Sequence, residues 1–323
     1  MSTLTPDPAA PVAIERRGIR LGDLLFKGVA GVAALGVTAV LGFLTYKIFA
    51  LAWPAMQKYG LSFIWTEAWN PNTNVYGALT FIYGTIVTSF IALLLATPLS
   101  IAIALFLTEL APRRLASPIA TMVELLAAIP SVVLGLWGIL VFGPWIANHL
   151  EPWLQSWFGF LPIFSGDPSQ AGLLPAALVL TIMIIPITSA ICRELFSRVP
   201  HDLTDGSLAL GSTRWEAIRR VALPYAAPGI SAAVLLGLGR AFGEAIAVTQ
   251  VIGSGNAINR SLFPPGDTLA SRIASTYQGA SNNIEVQSLL YLGAILLVVS
   301  LITNVSAQAI VNRFQKARRM STG

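Results

Sequence analysis

Six long apolar segments, separated by polar and charged stretches, dominate the hydropathy pattern of this chain. Each segment lacks Asp, Glu, Lys and Arg, and each reaches or approaches the roughly 20 residues that a helix needs to cross a bilayer. The pattern therefore predicts an all-α integral membrane protein with six transmembrane helices. The segments run from Gly28 to Tyr46, Val75 to Thr108, Leu125 to Asn148, Ala171 to Cys192, Val221 to Gly239 and Val286 to Asn312.

Two of these segments raise questions about where the spans end. The second is long enough for two crossings, but it has no polar turn cluster, so it predicts one long helix, tilted and kinked at Pro98. After the third segment, apolar residues keep helical spacing from Ile146 to Leu161. This spacing predicts a separate amphipathic helix, either on the outer membrane surface or beneath a docked partner.

The composition agrees with a membrane protein. Of the 323 residues, 55% are hydrophobic and only 11% are charged, whereas charged residues make up about 25% of a soluble domain. The net charge of +5 comes from clusters at the ends of the apolar segments. Such clusters indicate membrane topology and not nucleic-acid binding.

The basic residues also predict the orientation. If the loops alternate between the two sides, one side holds 15 of the 20 Lys and Arg residues, and the positive-inside rule places that side in the cytoplasm. Both termini are then cytoplasmic, and the chain is a multi-pass protein of the cytoplasmic membrane. The predicted organisation is a cytoplasmic tail at 1–26, a six-helix domain at 27–312 with a cytoplasmic loop at 193–224, and a cytoplasmic tail at 313–323.

The most ordered polar stretch runs from Asp205 to Pro224, with the sequence DGSLALGSTRWEAIRRVALP. Its small residues allow a helix to approach a partner closely, and its central glycine permits a sharp reversal between two short helices. The stretch predicts a helix-turn-helix that docks on a partner protein, with an ordinary charged loop as the alternative. The positions that define this coupling segment are Asp205, Gly206, Ser207, Gly211, Leu223 and Pro224.

The spacing within the coupling segment resembles the EAA loop of ABC importer permeases. That loop has an acidic-small-small start, then a glycine, and an I-x-L-P ending, which is matched here from Val221 to Pro224. Asp205 stands where that family usually has Glu, so the charge is kept and the reach is shorter. The resemblance implies that an ATP-hydrolysing subunit docks on this segment.

Three ionisable residues lie within or near the apolar segments and are candidates for the translocation pathway. Arg240 and Glu244 are four residues apart and would share one face of the fifth helix, where each could neutralise the other. They either line a pathway for an anion or form a structural ion pair. Glu124 could pair with Arg240 or with a basic residue of a partner, or it could extend to the membrane interface.

Other kinds of chemistry have little support in this sequence. None of the four lysines is followed by Ser or Thr, so there is no G-x-x-x-x-G-K-[ST] nucleotide-binding loop. One cysteine and two distant histidines give no metal-ligand spacing. We therefore expect no catalysis and no cofactor in this chain, with ATP hydrolysis supplied by a separate subunit.

Three stretches together, ELLAAIPSVVLGLWG, the coupling segment and GLGRAFGEAIAVTQVIG, resemble the PstC family of phosphate-transport permeases. The resemblance implies the type I ABC importer permease fold and transport of phosphate by alternating access. It also implies three kinds of partner: a homologous second permease, two ATPase subunits, and an extracytoplasmic phosphate-binding protein. Ala245 and Ala128 are small departures from the residues usual in related permeases.

Two alternatives remain open at this point. A permease for another oxoanion, such as sulfate or molybdate, would have the same architecture. A secondary transporter or a membrane scaffold would need no ATPase. The coupling segment occurs once, which argues against both a secondary transporter and a scaffold. No inverted repeat is visible, which further argues against a secondary transporter.

Overall fold

The computed structural model describes residues 21–321. The chain divides into two compact units, residues 1–47 and residues 48–323; helix α1 begins in the first unit and ends in the second. Residues 1–20 of the predicted N-terminal tail lie outside the described residues, and the predicted tail boundaries stay predictions. The helices and strands are α1 (Leu21–Tyr59), α2 (Ser62–Trp65), β1 (Trp69–Asn70), β2 (Val75–Tyr76), α3 (Leu79–Leu105), α4 (Arg113–Ala127), α5 (Ser131–Trp137), α6 (Gly143–Trp145), α7 (Glu151–Phe158), α8 (Leu173–Ser197), α9 (His201–Ala209), α10 (Arg214–Ala217), α11 (Leu223–Gly243), α12 (Ile246–Val251), α13 (Leu269–Thr276) and α14 (Asn283–Ser321).

Several helices are joined by irregular helical turns instead of loops. Strands β1 and β2 form one antiparallel pair, with Trp69 opposite Tyr76. The π-helical turns are Phe106–Leu110, Gly138–Phe142, Ile146–Leu150 and Ile218–Ala222, and the 3-10 turns are Pro162–Phe164 and Tyr277–Gly279.

Six helical stretches of the described residues are long and apolar enough to cross a membrane, which confirms the predicted number of spans. The second span is one helix with Pro98 inside it, also as predicted. The six stretches are Leu24–Tyr59, Leu79–Leu110, Ser131–Phe158, Leu173–Ser197, Arg214–Gly243 and Asn283–Ala309.

The third span differs from its predicted position. Pro130 has an extended backbone (φ −58°, ψ 139°) and separates α4 from α5, so the span begins at Ser131 and not at Leu125. A proline lacks the N–H that would continue the helix, and it disfavours helical backbone in the residue before it. The predicted amphipathic helix is present, but it continues the third span through π-helical turns as far as Phe158. The prediction that this helix is separate from the third span was therefore wrong.

Helix α8 lies at the centre of the main hydrophobic core. Small residues of α3, including Ala92 and Ala96, are fully buried and pack in the same cluster as Leu180 and Ile184 of α8. Such residues let two helix backbones approach closely, which is how membrane helices gain packing energy. In a neighbouring cluster Cys192 is also fully buried, as expected for a packing residue.

The loop between α12 and α13 packs against the start of α3. A Cβ atom at Gly84 would overlap the backbone carbonyl oxygen of Asp267 in that loop. Gly84→Ala is therefore expected to destabilise the fold by about 1–3 kcal/mol, the usual cost of overpacking. The melting temperature of the purified full-length chain in detergent measures this effect. Unfolding is monitored through the reaction of Cys192 with a thiol-reactive dye.

Gly239→Ala is the matched control for this prediction. A Cβ atom there has no other atom within 4 Å, and alanine favours a helix more than glycine does. Its melting temperature should equal or exceed that of the wild type. Equal melting temperatures for the two variants would contradict the close approach at Gly84.

Candidate functional site

The fifth span ends in a helix break at Glu244. Helix α11 stops at Gly243, Glu244 has an extended backbone (φ −73°, ψ 110°), and α12 starts at Ile246. Glu244 Oε1 accepts a hydrogen bond of 3.3 Å from the backbone N–H of Ala247, in the first turn of α12. The prediction that Arg240 and Glu244 lie on one face of the fifth helix is therefore wrong for Glu244, because the helix ends at Gly243. The carboxylate binds a free N–H at a helix start, and Gly243 is a weak helix former.

Arg240, in the last turn of α11, and Glu244, at the break, nevertheless lie close together. Arg240 Nη2 and Glu244 Oε2 are 3.8 Å apart, which is an ion-pair distance but too long for a hydrogen bond. The Arg240 side chain is 36% exposed and that of Glu244 is 10% exposed. Within the described residues, the buried Nε of Arg240 has no hydrogen-bond partner. The guanidinium is thus only partly neutralised and retains free donors.

Both side chains open onto a cleft of about 790 Å³ between α8, α11 and α14. Gly239 and Gly243 also line it, and a Cβ atom at either would have no other atom within 4 Å. Gly237 lines the cleft as well, but a Cβ there would lie 3.0 Å from Ile184 Cγ2, so this glycine also serves helix packing. The cleft is wide enough for a small anion beside Arg240.

Two amide side chains of the last span, Asn304 and Gln308, also line the cleft. They were not among the site residues predicted from the sequence. A signal was present, since two amides four residues apart in an apolar segment would face one side of a helix.

Glu124 does not line this cleft. On α4, its carboxylate contacts the guanidinium of Arg193 on α8, and the two side chains are 52% and 33% exposed. Of the alternatives for Glu124, pairing with Arg240 is therefore wrong, and pairing with a basic residue of a partner stays a prediction. At this exposure, an ion pair contributes about 0–1 kcal/mol. A place for Glu124 on the translocation pathway stays a prediction.

The coupling segment folds as a helix-turn-helix, as predicted. Asp205, Gly206 and Ser207 lie on α9, and the chain reverses at Gly211, whose φ of +88° favours glycine. Thr213 then caps α10 through reciprocal hydrogen bonds with Glu216. Leu223 and Pro224, the last two residues of the segment, open α11.

One side of this segment has the features of a docking surface. Asp205 is exposed and lines a groove of about 220 Å³ together with His201, Arg214 and Glu109. Two large apolar residues beside it are also exposed, Leu210 at 90% and Trp215 at 64%. Exposed apolar groups beside charged ones in a polar insert are typical of a protein-protein contact.

The sequence of this chain is similar to those of a known protein family. Residues 96–316 match the sequence model of the family described as binding-protein-dependent transport system inner membrane component. The chain is 43% identical over 288 residues to the phosphate transport system permease protein PstC of Mesorhizobium japonicum, covering 88% of each chain. It is 41% identical over 298 residues to the protein of the same name from Pasteurella multocida, covering 91% of this chain and 93% of that one.

Solved structures support the fold alone, because their sequence identity is low. A chain of a bacterial ABC transporter involved in the import of the acidic polysaccharide alginate superposes with a TM-score of 0.57 at 17% identity, covering 90% of this chain and 98% of that chain. A chain of the MetNI methionine ABC transporter gives a TM-score of 0.52 at 17% identity, covering 72% and 94%. The chain therefore has the ABC importer permease fold, and it belongs to the family of binding-protein-dependent transport system inner membrane components and, within it, to the PstC phosphate transport permeases.

Proposed function

We propose that this chain is a permease subunit of an ATP-driven importer that moves inorganic phosphate across the cytoplasmic membrane. The observation that carries the proposal is the partly neutralised Arg240 at the break of the fifth span, facing a cleft. The names of the curated relatives support phosphate as the anion. An ionisable residue within a membrane span is costly, so its presence favours a functional role.

The chemistry of the cleft suits an oxoanion. A guanidinium presents planar N–H donors that match the oxygens of a phosphate. Glu244, 3.8 Å away, competes for the same donors and so limits how tightly the anion is held. Weak binding of this kind lets the anion both enter the cleft and leave it.

Partner subunits hydrolyse the ATP that drives transport. One ATPase binds the coupling segment of this chain on the cytoplasmic side, and a second ATPase binds the homologous second permease, which completes the pathway. A phosphate-binding protein delivers the anion from outside. Movement of the coupling segment is transmitted directly to the cleft, because α10, a π-helical turn and α11 form one helical run from Arg214 to Gly243. The cleft then opens alternately to the two sides.

Uptake of radiolabelled phosphate tests this function in cells that lack the chain and are resupplied with variants of it. The wild type is expected to restore uptake, and unlabelled phosphate, but not sulfate or molybdate, should compete. Glu244→Gln is expected to assemble but to lower uptake roughly tenfold, equivalent to about 1.4 kcal/mol. The reason is that a neutral amide no longer competes for the guanidinium, so the anion is released slowly.

The matched control is Glu194→Gln. Glu194 also pairs with an arginine four residues away, Arg198, but both are exposed and neither lines the cleft. This variant should transport like the wild type. Wild-type uptake by Glu244→Gln would contradict the role of the pair, and displacement of the label by sulfate would contradict the phosphate assignment.

A further inference from the structure

The last span contributes polar groups to the cleft that the Arg240–Glu244 pair does not account for. Asn304 and Gln308 of α14 are exposed and line the same cleft. Residues four apart in a helix share one face, so both amides lie on the side of α14 that borders the cavity. Polar side chains in membrane helices usually face a bundle interior or a cavity, and they mark ligand pathways.

These amides are not used to hold helices together. Within the described residues, Asn304 makes no side-chain hydrogen bond, and Gln308 makes one, a 3.0 Å bond from its Nε2 to Asn312 Oδ1 on the same helix. Asn304 therefore has a free donor and a free acceptor, and Gln308 has a free carbonyl oxygen. Together with the buried Nε of Arg240, they leave unsatisfied hydrogen-bonding groups on two walls of one cavity.

We propose that Asn304 and Gln308 form a neutral hydrogen-bonding subsite for a protonated tetrahedral oxoanion in this cleft. The proposal rests on the phosphate transport proposed above and extends it to the wall formed by α14. An amide both donates and accepts, whereas a guanidinium only donates and a carboxylate only accepts. Hydrogen phosphate has P–OH donors as well as oxygen acceptors, so it can satisfy both sides of an amide. A fully deprotonated oxoanion offers acceptors only.

A neutral subsite also suits transport better than a second cation. Hydrogen bonds between neutral partners are roughly half as strong as charge-assisted ones. The amides can therefore hold and orient the anion as it leaves Arg240 without trapping it. Conduction generally needs several sites that are each weak enough to release the ion.

The test uses the complete transporter in proteoliposomes, supplied with the phosphate-binding protein and ATP. The variants Asn304→Ala and Asn304→Ser introduce side chains of nearly the same size that differ by one hydroxyl group. The variant Gln308→Met keeps the length of the side chain and removes its amide. We expect Asn304→Ala and Gln308→Met to lower phosphate uptake roughly fivefold, the effect of one lost hydrogen bond. Asn304→Ser should recover most of the uptake, and all variants should keep wild-type assembly.

Ser306→Ala serves as the control on the same helix. Ser306 is exposed, does not line the cleft, and lies about 200° around the helix from Asn304. Uptake by Asn304→Ala or Gln308→Met within twofold of the wild type would overturn the subsite. So would loss of the second permease from these variants, since that result would assign the amides to helix contacts. A wild-type complex that does not import phosphate would instead overturn the proposed function and, with it, the subsite.

Discussion

Asp205→Lys is expected to detach the ATPase subunit that docks on this chain from the permease pair and, with it, to abolish ATP-driven uptake. Asp205 is an exposed residue of α9 in the groove shared with His201 and Arg214. A docked subunit that contacts a carboxylate there would meet a like charge instead, and like-charge contacts at an interface cost several kcal/mol. The measurement is the amount of ATPase retained on affinity-tagged permease in detergent.

Asp202→Lys is the matched control, because it makes the same charge reversal on an exposed position of α9 that does not line the groove. We expect this variant to retain the ATPase. Equal retention by wild type and Asp205→Lys would contradict the docking role of Asp205. Equal loss from both variants would show that α9 itself, and not the groove, had been disrupted.

The parts of this fold that the sequence predicted are those set by local physics. Long charge-free segments can satisfy their backbone groups in a bilayer only as helices, so the number of spans followed from hydropathy. The reversal in the coupling segment followed from Gly211, because its φ of +88° is one that few other residues adopt readily. By contrast, the predicted third span ran through Pro130, whereas the structure has an extended backbone there and begins α5 at Ser131.

The parts that the sequence did not predict depend on contacts between distant elements. The break at Glu244 depends on a carboxylate that binds the start of α12, which an uninterrupted apolar pattern does not reveal. Glu124 pairs with Arg193, 69 residues later in the sequence, and the partner of a charge at that separation cannot be inferred from spacing. Asn304 and Gln308 become candidates only when α14 is seen to border the cleft.

A second large effect is expected at a buried ion pair in the loop and helix that follow the fifth span. Asp267 is 1% exposed and Arg272 is 10% exposed, and Asp267 Oδ2 lies 2.9 Å from Arg272 Nε. Burial raises the pKa of Asp267, although Arg272 opposes this shift. Keeping the buried carboxylate ionised therefore costs free energy. The guanidinium also lies over the ring of Phe81, 4.7 Å from its centre. The pair thus connects the loop to α3.

Asp267→Asn is expected to destabilise the fold by about 3 kcal/mol, because it leaves Arg272 buried without its nearest counter-charge. Glu285 still acts on Arg272 electrostatically and keeps the loss towards the lower end of the range for such pairs. The melting temperature of the purified chain measures the effect, and Asp167→Asn, at an exposed loop position, should leave it unchanged.

A double-mutant cycle with Arg272→Met separates the ion pair from its surroundings. If the two charges stabilise each other, the double variant is less destabilised than the sum of the single variants, since it leaves neither charge unpaired. Additive losses would contradict the coupling and would assign the effect of Asp267→Asn to weaker hydrogen bonds at Oδ1, which accepts from the backbone N–H of Thr268 and from the Ser271 hydroxyl. This loop also packs on Gly84, and Leu269 donates its backbone N–H to Thr85. A coupled result would therefore identify the Asp267–Arg272 pair as one of several contacts that fix the loop against α3.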